Sequence, residues 1–391
     1  MSTIIRTVSA ADFVATVPHL LGFHPRQSLV LVPFAGTRSL GALRVDLPSP
    51  LLDDDELART ASTVIGLVCK VARADGVAVL VYCDAAVSET VPLPHGDLVD
   101  AVVRRADICG LRVVDTVAVS GDRWNRYGSP TDGGHALTAP ESIDDLAGFA
   151  VEGDQAAAAR LPPVSDGEAR RVGRLLSDLD AFLGSAPPSR SVSARRRRAA
   201  WRMAADLADP PLLFETLVSE SPDALGPHEL ALLAFCLGRP LLRDVALVQW
   251  AASLSAGDAA YQAQIRYTEG EPLPDDVGRT MIGEGPRPDT SRLEAALELC
   301  RRAAAAAPRE SRPGALAACA WLSWALGRST HAAHYVEQAL GIDPHHGLSA
   351  VVAALVEHSR LPEWAFARPA EAAPTVTSQA EKGSSLGSRG R

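Results

Sequence analysis

His24, Asp46 and Asp84 are the residues whose types could do chemistry together. An imidazole and two carboxylates can act as general acid and base, or can ligate a divalent cation that activates water for hydrolysis. Around them stand groups that could hold a ligand: Ser28 and Arg44 close by in the chain, and Arg123, Trp124 and Tyr127 further on. The alternative is structural. Asp46 and Asp84 would cap turns, His24 would fix the start of a hairpin, and the two aromatics would pack as core with a polar handle. Residue types do not separate these readings, so the elements that position the side chains must.

The stretch from Leu20 to Leu47 organises that positioning. Leu29 to Val32 is an unbroken apolar run, as in a strand covered on both faces, and Pro33 limits how far its pairing continues. Ala35 to Ser39 supplies a turn. In the returning strand Leu43, Val45 and Leu47 alternate with Ala42, Arg44 and Asp46, which sets an apolar face against one carrying a cation and an anion. Antiparallel pairing then lays His24 and Ser28 beside Asp46.

A helix from Ser9 to Leu21, with Ser9 as N-cap, leads into this hairpin. Asp53 to Ala74 is the clearest helix, with acids in its first turn, Lys70 and Arg73 in its last, and Gly76 as its stop. Val77 to Cys83 is a buried strand, Asp97 to Cys109 a helix closed by Gly110, and Val113 to Ser120 another strand. Strands alternating with helices imply right-handed crossovers, so the strands ending at Asp46, Asp84 and Ser120 point the same way. Their shared edge collects His24, Asp46, Asp84 and a loop from Gly121 to Tyr127, at the carboxyl ends where open α/β sheets favour ligands.

Gly22-Phe23-His24-Pro25, Ser28-Leu29-Val30 and Arg44-Val45-Asp46-Leu47-Pro48 together resemble the actinobacterial domain of unknown function family 4192. Arg123-Trp124 with Tyr127 extends the resemblance, which includes an Arg-Trp pair and a nearby Tyr after the last strand. Asn125 stands where a second aromatic is expected, and residues 128–135, Gly-Ser-Pro-Thr-Asp-Gly-Gly-His, replace a cysteine-bearing loop. The resemblance implies a fold and a set of recurrent residues. It implies no reaction.

Composition shifts after Ala139, where Pro162-Pro163 and Pro187-Pro188 punctuate a chain that has become helical, and a boundary falls near Leu161. Glu229–Cys236 and Leu241–Leu254 read as a helical hairpin turned by Gly238 and Pro240. Glu269 to Thr290 reads as a long loop or two short turns. Helices resume at Ser291–Ala306, Gly314–Leu326, Thr330–Leu340 and Leu348–His358, and Pro313 to Pro344 has the spacing of one tetratricopeptide unit. Arg195 to Arg198, with Arg190 and Arg202, is the one dense basic run. Consecutive arginines point all around a helix, so a solvated face is expected. His331 and His334 lie a turn apart with His345-His346 nearby, and are read as exposed helix histidines rather than zinc ligands. Gly383 to Gly387 matches a nucleophile-elbow pattern, but no strand precedes it.

All but Lys70 and Lys382 of the 38 basic residues are arginine, which nearly excludes lysine chemistry. A net charge of −9 argues against nucleic acid as a partner, and 47% hydrophobic with 22% charged residues describes a soluble globular chain. The scattered cysteines have no metal-ligand spacing, and neither a signal peptide nor a membrane span is discernible, so a cytoplasmic protein without a cofactor is expected. The sequence thus predicts an α/β domain over residues 1–160, with a mixed sheet made of a hairpin plus two parallel crossover strands. It predicts an all-α, tetratricopeptide-like helical-hairpin domain over 161–365 and a disordered tail over 366–391. Two functions remain: a binding or scaffold protein whose helical domain takes an unknown protein partner, with room for a small ligand at the sheet edge, or a hydrolase built on His24, Asp46 and Asp84.

Overall fold

The computed structural model describes residues 9–49, 51–85, 93–129, 131, 133–138, 151, 153–184, 193–272 and 274–366. Pro187-Pro188, Arg190, the expected tail beyond Phe366 and the Gly383–Gly387 pattern lie outside the described residues. Helix α1 (Ala10–Leu21) is capped by the Ser9 hydroxyl, which accepts from the Asp12 N–H at 3.1 Å. Strands β1 (Ser28–Ala35), β2 (Arg38–Ser39) and β3 (Leu43–Asp46) follow, then α2 (Asp54–Lys70), β4 (Gly76–Tyr82), α3 (Gly96–Ile108), β5 (Arg112–Ser120), β6 (Arg123–Arg126) and β7 (His135–Ala136).

These strands form one mixed sheet in the order β2-β1-β4-β5-β6-β7, with β3 pairing β1 on the same side as β2. Both β3 and β4 run antiparallel to β1, and β5 runs parallel to β4. The strands ending at Asp46, Tyr82 and Ser120 therefore point the same way, but β1 lies between the first two, so β4 and β5 are the parallel neighbours. Alternation along each strand splits the core. Leu29, Leu31, Val79 and Val81 face α2 and α3, whereas Val30, Val32, Leu80 and Val119 face α1.

Four local expectations are corrected. Pro33 does not end β1: its carbonyl accepts from the Leu40 N–H at 2.8 Å, so its missing N–H points to the gap between β2 and β3 and takes nothing from the β4 ladder. Gly76 is not the stop of α2, which ends at Lys70, but the first residue of β4, where a Cβ would stand 2.9 Å from the Arg112 carbonyl oxygen. The segment from Gly121 to Tyr127 is not a loop. Gly121, at φ +58°, and Asp122 close a two-residue hairpin that returns the chain as β6. Within the expected loop from Glu269 to Thr290, residues Asp275–Met281 form a helix.

The described residues that follow are mainly helical: α4 (Asp166–Leu183), α5 (Ala194–Asp206), α6 (Pro210–Ser219), α7 (Pro227–Leu237), α8 (Pro240–Ala251), α9 (Leu254–Thr268), α10 (Asp275–Met281), α11 (Thr290–Ala306), α12 (Pro313–Ala325), α13 (Ser329–Leu340) and α14 (Gly347–Glu357). They share one core around Phe214, Trp250, Trp321, Trp324 and Tyr335. Each large indole spends its N–H on a backbone carbonyl, Trp321 on Met281 at 2.9 Å and Trp324 on Arg360 at 2.6 Å, which ties the end of α10 and the segment after α14 to α12. Among the described residues no helix is long and apolar enough to cross a membrane.

Candidate functional site

Register places one row of residues across the sheet. Asp46 lies opposite Ser28, Ser28 opposite Tyr82, Tyr82 opposite Val119, Val119 opposite Trp124 and Trp124 opposite His135. Directly opposed residues share a face, so this row stands on the α1 side at the carboxyl edge of β3, β4 and β5. Four strand spacings separate Asp46 from Trp124, roughly 19 Å, too far for one small ligand to touch both.

At one end of the row, Arg44 governs the arrangement. Its side chain is 6% exposed and its Nη2 lies 2.6 Å from Asp46, whose own side chain is 86% exposed. The Arg44 Nε donates to the Ser28 hydroxyl at 2.8 Å, and Ser28 in turn donates to the Arg26 carbonyl at 2.7 Å. The Nη1 donates to the Thr330 hydroxyl of α13 at 3.0 Å. Arg44 thereby joins the sheet to the helical part.

Asp84 and His24 surround the start of β1 without joining this set. Asp84 is exposed and accepts from the Gln27 Nε2 at 3.0 Å. His24 is held by its backbone, whose N–H donates to the Gly153 carbonyl at 2.9 Å, while among the described residues its exposed ring makes no hydrogen bond or ion pair. Asp46 and Asp84 flank β1 on opposite sides, each held by a different donor. Among the described residues no group of three or more His, Cys, Asp or Glu side chains gathers as a metal site.

At the other end Trp124 stacks on His135, centroids 4.5 Å apart, with the Arg126 guanidinium 5.8 Å from its ring. Arg126 is itself paired with Asp115 at 2.9 Å, and Arg123 donates to the Gly133 carbonyl. Among the described residues the buried Tyr82 hydroxyl and Trp124 N–H have no partner. Burial pushes the Tyr82 phenol above its usual range. Tyr127 faces the opposite side, where its hydroxyl donates to the Pro94 carbonyl at 2.6 Å and burial raises its pKa.

On that opposite side the carboxyl edge carries a hollow of about 290 Å³ between the starts of α2 and α3. Ser49, His95 and Asp97 line its polar wall and Leu57 and Leu93 its apolar one. His95 precedes α3 at φ +59° without capping it, and burial lowers its pKa. None of His24, Asp46 and Asp84 reaches this hollow. A histidine directly before the Gly96 start of α3, at the N-cap position, was the visible signal; the approach of Ser49 was not.

The helices carry a second concavity, an open groove of about 520 Å³ between α4, α5 and the turn before α12. Arg170 and Arg174 of α4 wall one side, and Arg196 of α5 and Arg312 stand with them. The four consecutive arginines splay around α5 as expected, with Arg196 turned inward to Asp178 at 2.5 Å. On the outer side of α5, opposite the buried Ala200 and Met203, Trp201 is 62% exposed with Arg197 and Arg198 a turn before it. His331 departs from expectation: it is buried, and its ring packs on Phe23 of the sheet part at 5.8 Å, because α13 is the helix that seats the helical part on the sheet.

A family model described as Domain of unknown function (DUF4192) matches residues 11–270, a span that includes the whole sheet and ends just past α9. No curated protein and no solved structure matches the chain.

Proposed function

The chain belongs to the Domain of unknown function (DUF4192) family, and on that premise we propose that it is a binding protein whose helical part presents α5 to a protein partner. The observation that carries this is Trp201, 62% exposed among arginines on a helix whose opposite face is buried. Tryptophan and arginine are the residues that most often dominate the energy of protein interfaces. The division at residues 160 and 161 belongs to the same reading, with the sheet part as a mount and the helices, including a tetratricopeptide-like pair in α12 and α13, as the presenting surface. Affinity capture from the native organism with mass spectrometry tests it. A discrete protein is expected with the wild type and should be lost with Trp201→Ala, a truncation expected to cost about 2 kcal/mol of binding. Equal capture by both proteins defeats the reading.

The alternative reading is a hydrolase using His24, Asp46 and Asp84, alone or with a divalent cation; the arrangement does not favour it, because the two carboxylates flank β1 on opposite sides and none of the three residues lines the hollow at the strand ends. Asp46→Asn separates the two. As an exposed partner of Arg44, Asp46 should cost no more than about 1 kcal/mol of stability on replacement, measured by urea unfolding. A divalent-cation-dependent rise in melting temperature that Asp46→Asn abolishes would show a cation site there and favour the hydrolase instead.

A further inference from the structure

We infer that the groove between α4, α5 and the turn before α12 binds an extended acidic segment of a protein partner; this rests on the binding reading above and names the chemistry of what is bound. Arg170 and Arg174 are exposed one helical turn apart, and among the described residues neither has an ion pair or hydrogen bond. Arg312 spends its Nε and Nη2 on the Ala307 and Ala305 carbonyls, which fixes the guanidinium without neutralising it. Arg196 is the one cation of the four held by a carboxylate, that of Asp178, and Glu310 is the one anion in the lining. Cations therefore outnumber carboxylates in a chain whose net charge is −9. The charges of Arg170 and Arg174 stand in solvent with no structural task within the described residues, and that of Arg312 is held at the same groove by carbonyls without a carboxylate partner.

The floor selects the form of the anion. Ala169, Gly173, Ala307 and Pro308 make it apolar and low, and a Cβ on Gly173 would already stand 3.0 Å from the Pro308 Cγ, so the helix and the turn meet with no side chain between them. An extended strand places alternate side chains on one side about 7 Å apart, close to the rise of one helical turn, about 5.4 Å, between Arg170 and Arg174. Acidic residues at alternate positions would reach the two guanidiniums while small residues between them lie on the floor. Each guanidinium can take a carboxylate through paired N–H donors. Nucleic acid fits less well, because the lining holds no aromatic side chain on which a base could stack.

The test is fluorescence anisotropy with a labelled ten-residue peptide of alternating Glu and Ala on the full chain, compared with the same peptide carrying Gln for Glu, inorganic tripolyphosphate and a single-stranded DNA oligomer as competitors. The Glu peptide is expected to bind and the Gln peptide to bind at least tenfold more weakly. Arg170→Gln with Arg174→Gln should weaken the Glu peptide at least tenfold with the melting temperature unchanged, whereas Arg59→Gln, on the exposed side of α2 in the sheet part, should leave affinity as it is. Absence of peptide binding, equal binding by the double variant, or stronger competition by tripolyphosphate or DNA than by unlabelled Glu peptide overturns the inference. The binding reading is judged separately: partner capture lost with Trp201→Ala but kept in the arginine double variant sinks the groove and leaves α5 as the interface.

Discussion

Replacing Arg44 by alanine is expected to destabilise the protein by about 3 kcal/mol and to loosen the helical part from the sheet. The side chain is 6% exposed and donates to Ser28, Thr330 and Asp46, so truncation removes three polar contacts and a buried aliphatic stem at once. Thr330 loses the donor that ties α13 to β3. Urea unfolding measures the loss, and hydrogen exchange should show faster opening in β3 and α13 than in β4 and α12. Arg44→Met, which keeps an apolar stem and drops the charge, should recover part of the stability, because much of what the buried Arg44 side chain contributes is the packing of its aliphatic stem. A change under about 0.5 kcal/mol for Arg44→Ala, within the range of surface substitutions, would show that the contact with Thr330 does not hold the two parts together.

Acidification should open the same seam. His331 is 9% exposed against Phe23, and its pKa is lowered to about 4, chiefly by burial and further by the cations Arg328 and Arg301 and by His334. An unfolded histidine titrates near 6.5, so above that value the imidazole is neutral in both states and costs nothing. As the pH falls from about 6.5 to about 4, the unfolded chain takes up a proton that the folded chain refuses, and stability declines. The full decline attributable to this one group is about 3 kcal/mol, reached near pH 4. Glu215, held low chiefly by its hydrogen bond from Arg292, loses its own stabilising contribution in the acid range, so the comparison must be with a variant. His331→Leu should flatten the stability profile between pH 6.5 and 4 relative to wild type. Parallel profiles for the two proteins would refute a buried neutral imidazole at this position.

Much of the sheet part was legible because its signals are local. The Ser9 cap, the acids in the first turn of α2, the apolar run from Leu29 to Val32 and the alternation from Leu43 to Leu47 each act within a few residues, and each reappears in the structure where its spacing put it. Direction was legible too, since helices of this length between strands return the chain the same way. Less legible was the neighbour of each strand. The insertion of β1 between β3 and β4 answers to how two hydrophobic faces are best covered, and no spacing in the chain records that. The hairpin into β6 was readable in principle from Gly121-Asp122 after the run to Ser120, yet the short polar stretch that follows reads as a loop.

The functional surfaces divide in the same way. Sequence alone determined that Asp46 and Arg44 share a face, that arginine is the chain's cation and that Arg195 to Arg198 splay around a helix, since all three follow from period and composition. Only the tertiary structure decided which partners those groups meet. Arg44 finds Thr330 nearly three hundred residues away, His331 becomes buried because Phe23 packs on it, and Arg170, Arg174 and Arg312 become one groove because the turn before α12 folds against α4. The reason is physical: backbone propensity and side-chain period act over a few residues, whereas burial and charge pairing depend on whichever surfaces the two hydrophobic cores bring together.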